Sequence, residues 1–569
     1  GVHAMKEVLN MTPASELGGE KPDAVILMMD VRKYSTMCET LPSKEIYDVM
    51  NPVFEIMNEE LEKVGGMILE FVGDAIMVVF NAFKDQRSDM MSIILSIIQC
   101  LKHISVHNSL RLAENAPPLE IGVGIHKGEV TSSFLGGLKR SHLAVLGGTV
   151  NIAARIEGMT KELPGKLLVS SACFDDHAPD IWSDPDRVTF SFRDIGFHRM
   201  KNIETPVQLY GISPLIRYQV DFFPMGFVAA PEKGVVYIDT GNSCEPGIID
   251  HHYEKHTAKS ACALLNQSPE LLLGYIEDLH SSEIEFRVHE APDLDCCATL
   301  YMAFELMDKK PRKRELEKLA DYLSQIDQGV IPDPEQVANS LYGVFIAHQE
   351  NIRKDTLRRA AARSRDMTIL TAGMRVIDAA MYLMEKNQYD GNFANVFQFS
   401  PSWFREERNM IKNDRLLYRE DIKMRSHTYQ ARVNGVQKPV TGLWLDHPQS
   451  ILFKQWVRND KGAPGAKGYP FLTVDWSAPD KNRFVISVDP ESGTNLNGLG
   501  RLLEQHESEK RRDIGKIRPI EPIRQGSDNS DPWYFGQGHA YTIIDSPREG
   551  AVLTGAEVEA IHNGWNSQI

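Results

Sequence analysis

Three largely apolar runs in the middle of this chain each end on acids or histidines. "GVVYID" closes on Asp239, "GIIDHH" on Asp250, His251 and His252, and "EIEFRVHEAPDLD" on His289, Asp293 and Asp295. Near-continuous apolar runs with helical segments between them predict strands buried on both faces, the pattern of a parallel sheet covered by helices. Sheets of that kind gather function beyond the C-terminal ends of their strands. A fold that satisfies this stretch brings several carboxylates and imidazoles to one edge of one sheet.

The 569 residues exceed what one core holds, and their 42% hydrophobic content can fill several. A formal net charge of -16 excludes a protein built to coat duplex nucleic acid, because phosphate binding is dominated by Lys and Arg. The longest apolar stretch, "MMSIILSIIQCLKHI", is shorter than the roughly 20 residues of a spanning helix. It carries polar residues at helical spacing and is expected as a core helix, so no membrane span is expected. No secretory leader is readable, and the seven cysteines form no C-x-x-C pair, which fits a reducing cytoplasm.

The fold class expected is multidomain α/β. Residues 23–214 alternate strand-like runs ("AVILMMD", "MILEFVG", "AIMVVFNAF", "LEIGVGIHKG", "KLLVSS") with amphipathic helices. A short connector at about 215–226 leads to the parallel-sheet segment, 227–332. Residues 333–394 read as a helical connector. Residues 395–569, richer in Gly, Pro and Trp with short β-like runs, read as an α+β domain.

Two constellations carry chemistry. In the first, Asp30 ends the strand "VILMMD", and Gly73-Asp74 separates two apolar runs as a hairpin turn would. Neighbouring strands would hold both carboxylates together, which suits two Mg²⁺ or Mn²⁺ ions with positions left for substrate phosphates. In "LGGTVNIAARIEG", Asn151 and Arg155 stand four apart, on one face of a helix opening after a glycine-rich turn. An amide and a guanidinium projecting together can orient a ribose and neutralise charge on a transferring phosphorus.

"DVRKYSTM" from Asp30, "EFVGDAIMVVF" around Asp74, "IGVGIHKGEV" from Ile121 and "LGGTVNIAARIE" from Leu146 together resemble the class III nucleotidyl cyclases, over about the first 210 residues. The resemblance implies a ferredoxin-like βαββαβ core, with Asp30 and Asp74 as metal ligands and Asn151 with Arg155 as transition-state stabilisers. A homodimer is also implied, since in that family the metals and the Asn/Arg pair come from opposite protomers. The implied reaction is attack of the ribose 3′-oxygen on the α-phosphorus of a nucleoside triphosphate. Base choice falls on Glu70 and Ala144. A carboxylate at Glu70 accepts from the guanine N1–H and N2–H₂ and cannot donate to adenine N1, so GTP is favoured over ATP. Guanylate cyclases pair that residue with Cys, and Ala144 leaves this half of the recognition blank, which keeps a pyrimidine triphosphate open.

The second constellation is the one at the apolar strand ends. His289, Asp293 and Asp295 in an H-x3-D-x-D pattern, with Asp239, His251 and His252, suit two Mn²⁺-like ions, borderline enough for imidazole and hard enough for carboxylate. The set resembles the DHH phosphoesterases. That resemblance implies His289 and Asp293 on one ion, Asp295 and His251 on the other, Asp239 bridging them, and His252 facing the scissile phosphate. Asp327, in "LADYLSQIDQG", is similar to the acid that completes the second ion. The order departs from the family, because here the H-x3-D-x-D strand follows the other two. Gly536, Gly538 and His539, in "FGQGHAY", are similar to the family's phosphate-holding "GGGH" loop, and a plain tight turn reads them equally well.

The chain is therefore expected to be a bifunctional nucleotide-signalling enzyme that cyclises a nucleoside triphosphate and hydrolyses a phosphodiester or phosphate ester, the latter a cyclic nucleotide or an oligonucleotide. One alternative leaves only the phosphodiesterase active, on a cyclic dinucleotide or short oligonucleotide, with the cyclase-like domain binding nucleotide as its regulator.

Overall fold

In the computed structural model the chain divides into two compact units. One comprises Gly1–Tyr218, Leu279–Glu283 and Glu305–Pro311, and the other Gln219–Asp278, Ile284–Phe304 and Arg312–Ile569. Residues 23–565 are described, apart from 73–74, 83–87, 115, 138–139, 175–189, 225–226, 253–257, 309–310, 328–334, 357–361, 387–391, 423–425, 435, 461–467, 490–491, 520–530 and 536–542. Asp74, Gly536, Gly538 and His539 lie outside the described residues, as does the side chain of Glu70.

The first unit opens with β1 (Asp23–Val31), α1 (Tyr34–Thr40) and α2 (Ser43–Glu62), followed by β2 (Met67–Val72), β3 (Ala75–Phe80), α3 (Met90–Ala113) and β4 (Ile121–Glu129). The sheet order β2-β3-β1-β4, with antiparallel neighbours, is the βαββαβ ferredoxin-like core that the sequence led one to expect. Both edges of β1 are paired, and Ala24, Val25, Ile26, Leu27 and Met29 are all buried. Along α2, Met50, Val53, Met57 and Leu61 recur three or four residues apart and bury one stripe. Asp89 caps α3 by accepting from the Ser92 N–H at 2.9 Å. The hairpin β5 (Thr131–Gly137) and β6 (Arg140–Leu146) forms its own small sheet, and α4 (Gly148–Met159) follows it. β7 (Leu167–Ser170), β8 (Phe190–His198) and β9 (Val207–Pro214) extend the main sheet from β4 in the order β7-β9-β8.

Two glycines of "IGVG" set how closely α4 lies on β4. A Cβ on Gly124 would stand 2.2 Å from the Glu157 backbone N and 2.7 Å from the Ala153 carbonyl O. Any side chain there lifts the helix off the strand.

The second unit begins with a five-stranded sheet: β10 (Gln219–Phe223), β11 (Val235–Ile238), β12 (Cys244–Glu245), β13 (Ile248–Ile249) and β14 (Glu285–His289), in the order β10-β14-β11-β13-β12. Every pairing is parallel except β12 with β13. Gln219–Phe223, in the stretch expected as a connector, form the edge strand β10. Helices α5 (Ala261–Gln267), α6 (Glu270–Ile276), α7 (Leu294–Leu306) and α8 (Lys313–Asp327) accompany this sheet, and α9 (Leu341–Thr356) and α10 (Ala362–Lys386) follow. After α11 (Arg405–Asp421) comes a mixed seven-stranded sheet between residues 426 and 545, with α12 (Phe453–Arg458), α13 (Leu499–Asp513) and α14 (Gly555–Gly564). Trp444, Phe471, Phe484, Trp533 and Trp565 form its core.

Two helices, Met90–Leu112 and Arg365–Lys386, are long and apolar enough to cross a membrane by length and composition. Each also buries apolar side chains in the protein, Ile93, Ile94, Ile97 and Ile98 on the first and Val376, Ile377, Ala380 and Met381 on the second.

Candidate active sites

The second unit brings every described strand-end candidate to one place. Asp239 follows β11 with φ +53, a left-handed conformation that costs a non-glycine residue about 1 kcal/mol. Its backbone N–H bonds the Ile249 carbonyl at 2.8 Å, which ties the end of β11 to the end of β13. His251, two residues beyond β13, places Nε2 3.5 Å from Asp239 Oδ1, 3.7 Å from Asp295 Oδ2 and 3.8 Å from Asp327 Oδ2. His289, the last residue of β14, places Nε2 3.4 Å from Asp239 Oδ2 and 3.8 Å from Asp293 Oδ1. Donor atoms sharing an ion at about 2.1 Å stand roughly 3 to 3.5 Å apart; the separations here, 3.4 to 3.8 Å, are slightly wider than that and long for a direct hydrogen bond.

The donor set itself passes the test for divalent ions. Asp239, His251 and His252 form one group whose ligand atoms lie within 4.8 Å of one another, and Asp239, His289 and Asp293 form another, so Asp239 is common to both. Asp239 Oδ1 and Asp327 Oδ2 are buried without a hydrogen-bond partner among the described residues. Burial, then the negative charges of Asp239, Asp327 and Asp293, push the Asp295 carboxyl well above its ordinary range. Burial and the charges of Asp239 and Asp293 likewise raise Asp327. Carboxylates this crowded ionise together only if a cation joins them.

Surrounding bonds orient the ligands. His289 Nδ1 donates to the Glu290 carbonyl at 2.8 Å, which fixes the ring with Nε2 facing Asp239 and Asp293. Asp295 accepts from the backbone N–H groups of Ala261 at 2.6 Å and Cys262 at 3.2 Å, capping α5 with the same carboxylate that faces His251. Asp293 caps α7 through the Cys296 N–H at 3.0 Å.

Asp250 stands at the same strand end as His251 and His252, and the sequence alone assigns it no role. It is buried and accepts from His252 Nδ1 at 2.8 Å, from the His252 N–H at 2.9 Å and from the Asn242 N–H at 2.7 Å. Burial alone would raise this carboxyl, but the bond and charge of His252 outweigh it and hold Asp250 at about 2. Burial opposes the charge on His252 in turn, and Asp250 with Asp239 overcomes it, so the imidazole is raised. Its side chain stays 42% exposed, the open member of the cluster. The signal for Asp250 was already in the sequence, as the acid immediately before two histidines at a strand end.

The first unit supplies its own arrangement. Asp30 sits opposite Gly122 at the end of β1, and the adjacent Met29 pairs with Ile76 just beyond the β2–β3 turn. Asn151 and Arg155 project from α4, whose first turn is pinned by Thr149 Oγ1 donating to the Glu129 carbonyl at 2.6 Å. Asn151 is exposed, and Arg155 Nε is buried without a hydrogen-bond partner among the described residues. Glu70 pairs with Met77 along the hairpin backbone, and Ala144, half-buried on β6, pairs with Ser133.

The family model of the adenylate and guanylate cyclase catalytic domain matches residues 19–175. This segment is a class III cyclase catalytic domain. An adenylate cyclase of Anabaena cylindrica is 30% identical to the chain over 148 residues, which are 26% of this chain and 29% of that protein. Adenylate cyclase 1 of Rhizobium meliloti is 23% identical over 197 residues, 35% of this chain and 28% of that one. The chain thus spans about a third or less of the length of these curated relatives. Among solved structures, the adenylyl cyclase CyaB from P. aeruginosa is 26% identical, with 34% of this chain and 94% of that one covered and a TM-score of 0.30. The guanylyl cyclase Cya2 is 27% identical, with 34% and 93% covered and a TM-score of 0.30. The matched segment contains Asp30, Asn151 and Arg155, and the match ends before the strand-end cluster begins.

Proposed function

We propose that the chain is a bifunctional, metal-dependent nucleotide enzyme, a nucleotidyl cyclase joined to a DHH-type phosphoesterase. The family match over 19–175 supports the first activity. The observation that carries the second is the pair of His/Asp groups sharing Asp239.

In the cyclase domain, Asp30 and Asp74 would hold Mg²⁺ or Mn²⁺. In the second unit Asp239, His251, His289, Asp293, Asp295 and Asp327 would hold two Mn²⁺. Divalent ions supply Lewis-acid stabilisation of phosphate charge at both places. The Asn151 amide orients the ribose so that its 3′-oxygen lies in line with the α-phosphorus, and the Arg155 guanidinium neutralises charge that grows on the phosphoryl oxygens. GTP is the favoured substrate, since Glu70 accepts from the guanine edge. Ala144 adds no donor or acceptor of its own, and on that ground a pyrimidine triphosphate is the second reading. In the phosphoesterase, His252 is held protonated by Asp250 and donates to the scissile phosphate or to its leaving oxygen. A phosphodiester, either a cyclic nucleotide or a short oligonucleotide, is the substrate class. Gly536, Gly538 and His539 would hold a further phosphate of that substrate. The protein would work in the cytoplasm as a homodimer through its cyclase domain.

The test is mass spectrometry of products from Mn²⁺ and ATP, GTP, CTP or UTP supplied singly. A cyclic monophosphate lost in Asp74→Ala establishes the cyclase and names its base. A linear monophosphate that gives way to the cyclic one in His251→Ala establishes hydrolysis in the same chain. Wild-type protein that yields neither product, and leaves cyclic dinucleotides and short oligonucleotides intact, refutes both activities.

A further inference from the structure

Among the proposed ligands of the second unit, Asp293 has the most exposed side chain, at 57%. Packing does not hold a carboxylate that open, so its backbone must. Glu290, Ala291 and Pro292 lead to it from His289, and each is under constraint. The Glu290 N–H bonds the Phe223 carbonyl on β10 at 2.8 Å, and the Glu290 carbonyl accepts from His289 Nδ1 at 2.8 Å. Ala291 has φ +52, left-handed backbone that a residue with a Cβ adopts at a cost. Pro292 is buried and has no N–H to give, and its carbonyl accepts from Gln349 Nε2 at 2.9 Å.

That last bond comes from outside the sheet. Gln349 is buried on α9, within the stretch expected from sequence to be a helical connector. Phe345 and Tyr342 stand one and two turns earlier on the same face of α9. Phe345 and Cys297 of α7 both close on Gly373 of α10, where a Cβ would lie 2.7 Å from Phe345 Cε2 and 2.8 Å from Cys297 Sγ. The Tyr342 N–H bonds Tyr322 Oη of α8 at 3.2 Å, and its phenol oxygen accepts from Gln455 Nε2 of α12. The Gln349 amide is thus carried on a helix tied to α8, α10 and α12.

A peptide group is planar, so holding the Pro292 carbonyl also holds the Asp293 N–H and the direction in which the chain enters Asp293. The Asp293 carboxylate then accepts from the Cys296 N–H at 3.0 Å, and its carbonyl accepts from the Cys297 N–H at 3.1 Å as α7 begins. We propose that Gln349 is a positioning residue for the metal centre, fixing the peptide plane before Asp293 so that this carboxylate stands with Asp239 and His289 at one ion. This rests on the reading of the cluster as a di-metal centre. Gln349 touches neither ion nor substrate in this scheme and acts through Pro292 and Asp293.

A purely structural account also exists, in which Gln349 merely satisfies a buried carbonyl, and a neighbour on the same helix separates the two. His348 Nδ1 stands 2.9 Å from Glu407 Oε1 on α11, a buried bond that holds α9 but leads away from Pro292. Gln349→Leu and Glu407→Leu each remove one buried bond of α9, and both should lower the melting temperature of the second unit. Mn²⁺ alone is the probe, titrated by electron paramagnetic resonance in an Asp30→Asn background that disables the cyclase site. The second readout is amide hydrogen exchange over residues 290–297 in metal-free protein, followed by mass spectrometry.

In Gln349→Leu the half-saturating Mn²⁺ should rise about 10- to 100-fold, and the amides of this segment should exchange about 10-fold faster. Glu407→Leu should leave both within about threefold of wild type. Gln349→Asn, one methylene shorter but able to hold a water against the carbonyl, replaces the leucine variant if that one does not fold, under the same limits. A Gln349 variant within about threefold of wild type in either readout overturns the proposal. An equal loss of Mn²⁺ affinity in Glu407→Leu also overturns it and leaves Gln349 structural. Wild-type protein that binds no Mn²⁺ in this background overturns the di-metal reading and the proposal with it, a result distinct from a Gln349 variant that binds as well as wild type does.

Discussion

Gly124→Ala is the smallest change with the largest expected effect on the cyclase domain. The new Cβ would sit 2.2 Å from the Glu157 N and 2.7 Å from Glu157 Cα and the Ala153 carbonyl, all of them backbone atoms of α4. No rotamer relieves a clash with backbone. Reaching an ordinary contact of 3.4 Å from the Glu157 N requires α4 to move by about 1.2 Å, the difference between the two distances. Overpacking of this kind costs about 3 kcal/mol, the upper part of the usual range, because the helix must move as a body. For a unit of about 200 residues that lowers its unfolding temperature by about 6 to 12 °C. Since α4 carries Asn151 and Arg155, the same displacement should lower cyclic nucleotide formation about 100-fold. Gly158→Ala is the internal control, on the same helix with nothing within 4 Å of its added Cβ. It should stabilise by about 0.5 to 1 kcal/mol through helix propensity and leave activity alone. The assay is differential scanning calorimetry of the full chain, with the first unit's transition assigned by these variants, alongside product formation. A Gly124→Ala protein that melts within about 1 °C of wild type and keeps its turnover refutes the close-approach argument.

Three further outcomes are expected. His126 is buried beside Ser170, and burial pulls its imidazole down from 6.5 to about 4. Between those values the unfolded chain binds more protons than the folded one, so the first unit loses up to about 3 kcal/mol as pH falls from 6.5 to 4 and holds full stability above that window. His126→Gln should flatten the pH dependence of urea unfolding, and an unchanged slope would count against it. Removing divalent ions with a chelator should lower the second unit's stability, by about 2.7 kcal/mol relative to Mn²⁺ a hundredfold above its dissociation constant, read as a lower melting temperature, and Asp239→Asn should abolish that difference. A chelator-insensitive wild type would rule out the di-metal reading. Asp250→Asn should cut hydrolysis about 10- to 100-fold while bound Mn²⁺, counted by elemental analysis, stays the same, because it loosens His252 and leaves Asp239, His251, His289 and Asp293 in place. Loss of metal in that variant would make Asp250 part of the metal shell instead.

Local pattern announced many of the elements and the candidate residues at their ends. Strand ends bearing acids and histidines could be read directly because a buried strand shows as an apolar run, and whatever polar side chain follows it must stand at the edge of the sheet. The spacing of Asn151 and Arg155, four apart on α4, was equally visible, since helical period is a property of neighbours in sequence. Pairing between distant segments was not. The parallel order β10-β14-β11-β13 places the His289 strand directly beside the Asp239 strand although it follows both others in the chain, and so brings the candidate ligands together across that separation. Asp295 as both helix cap and cluster member, and Arg32 reaching Glu157 through the gap above Gly122, rest on contacts across 34 and 125 residues. Sequence fixes which side chains stand at the ends of which elements. Only the folded chain, in which hydrogen-bond register and close packing choose neighbours from afar, decides which of those side chains meet.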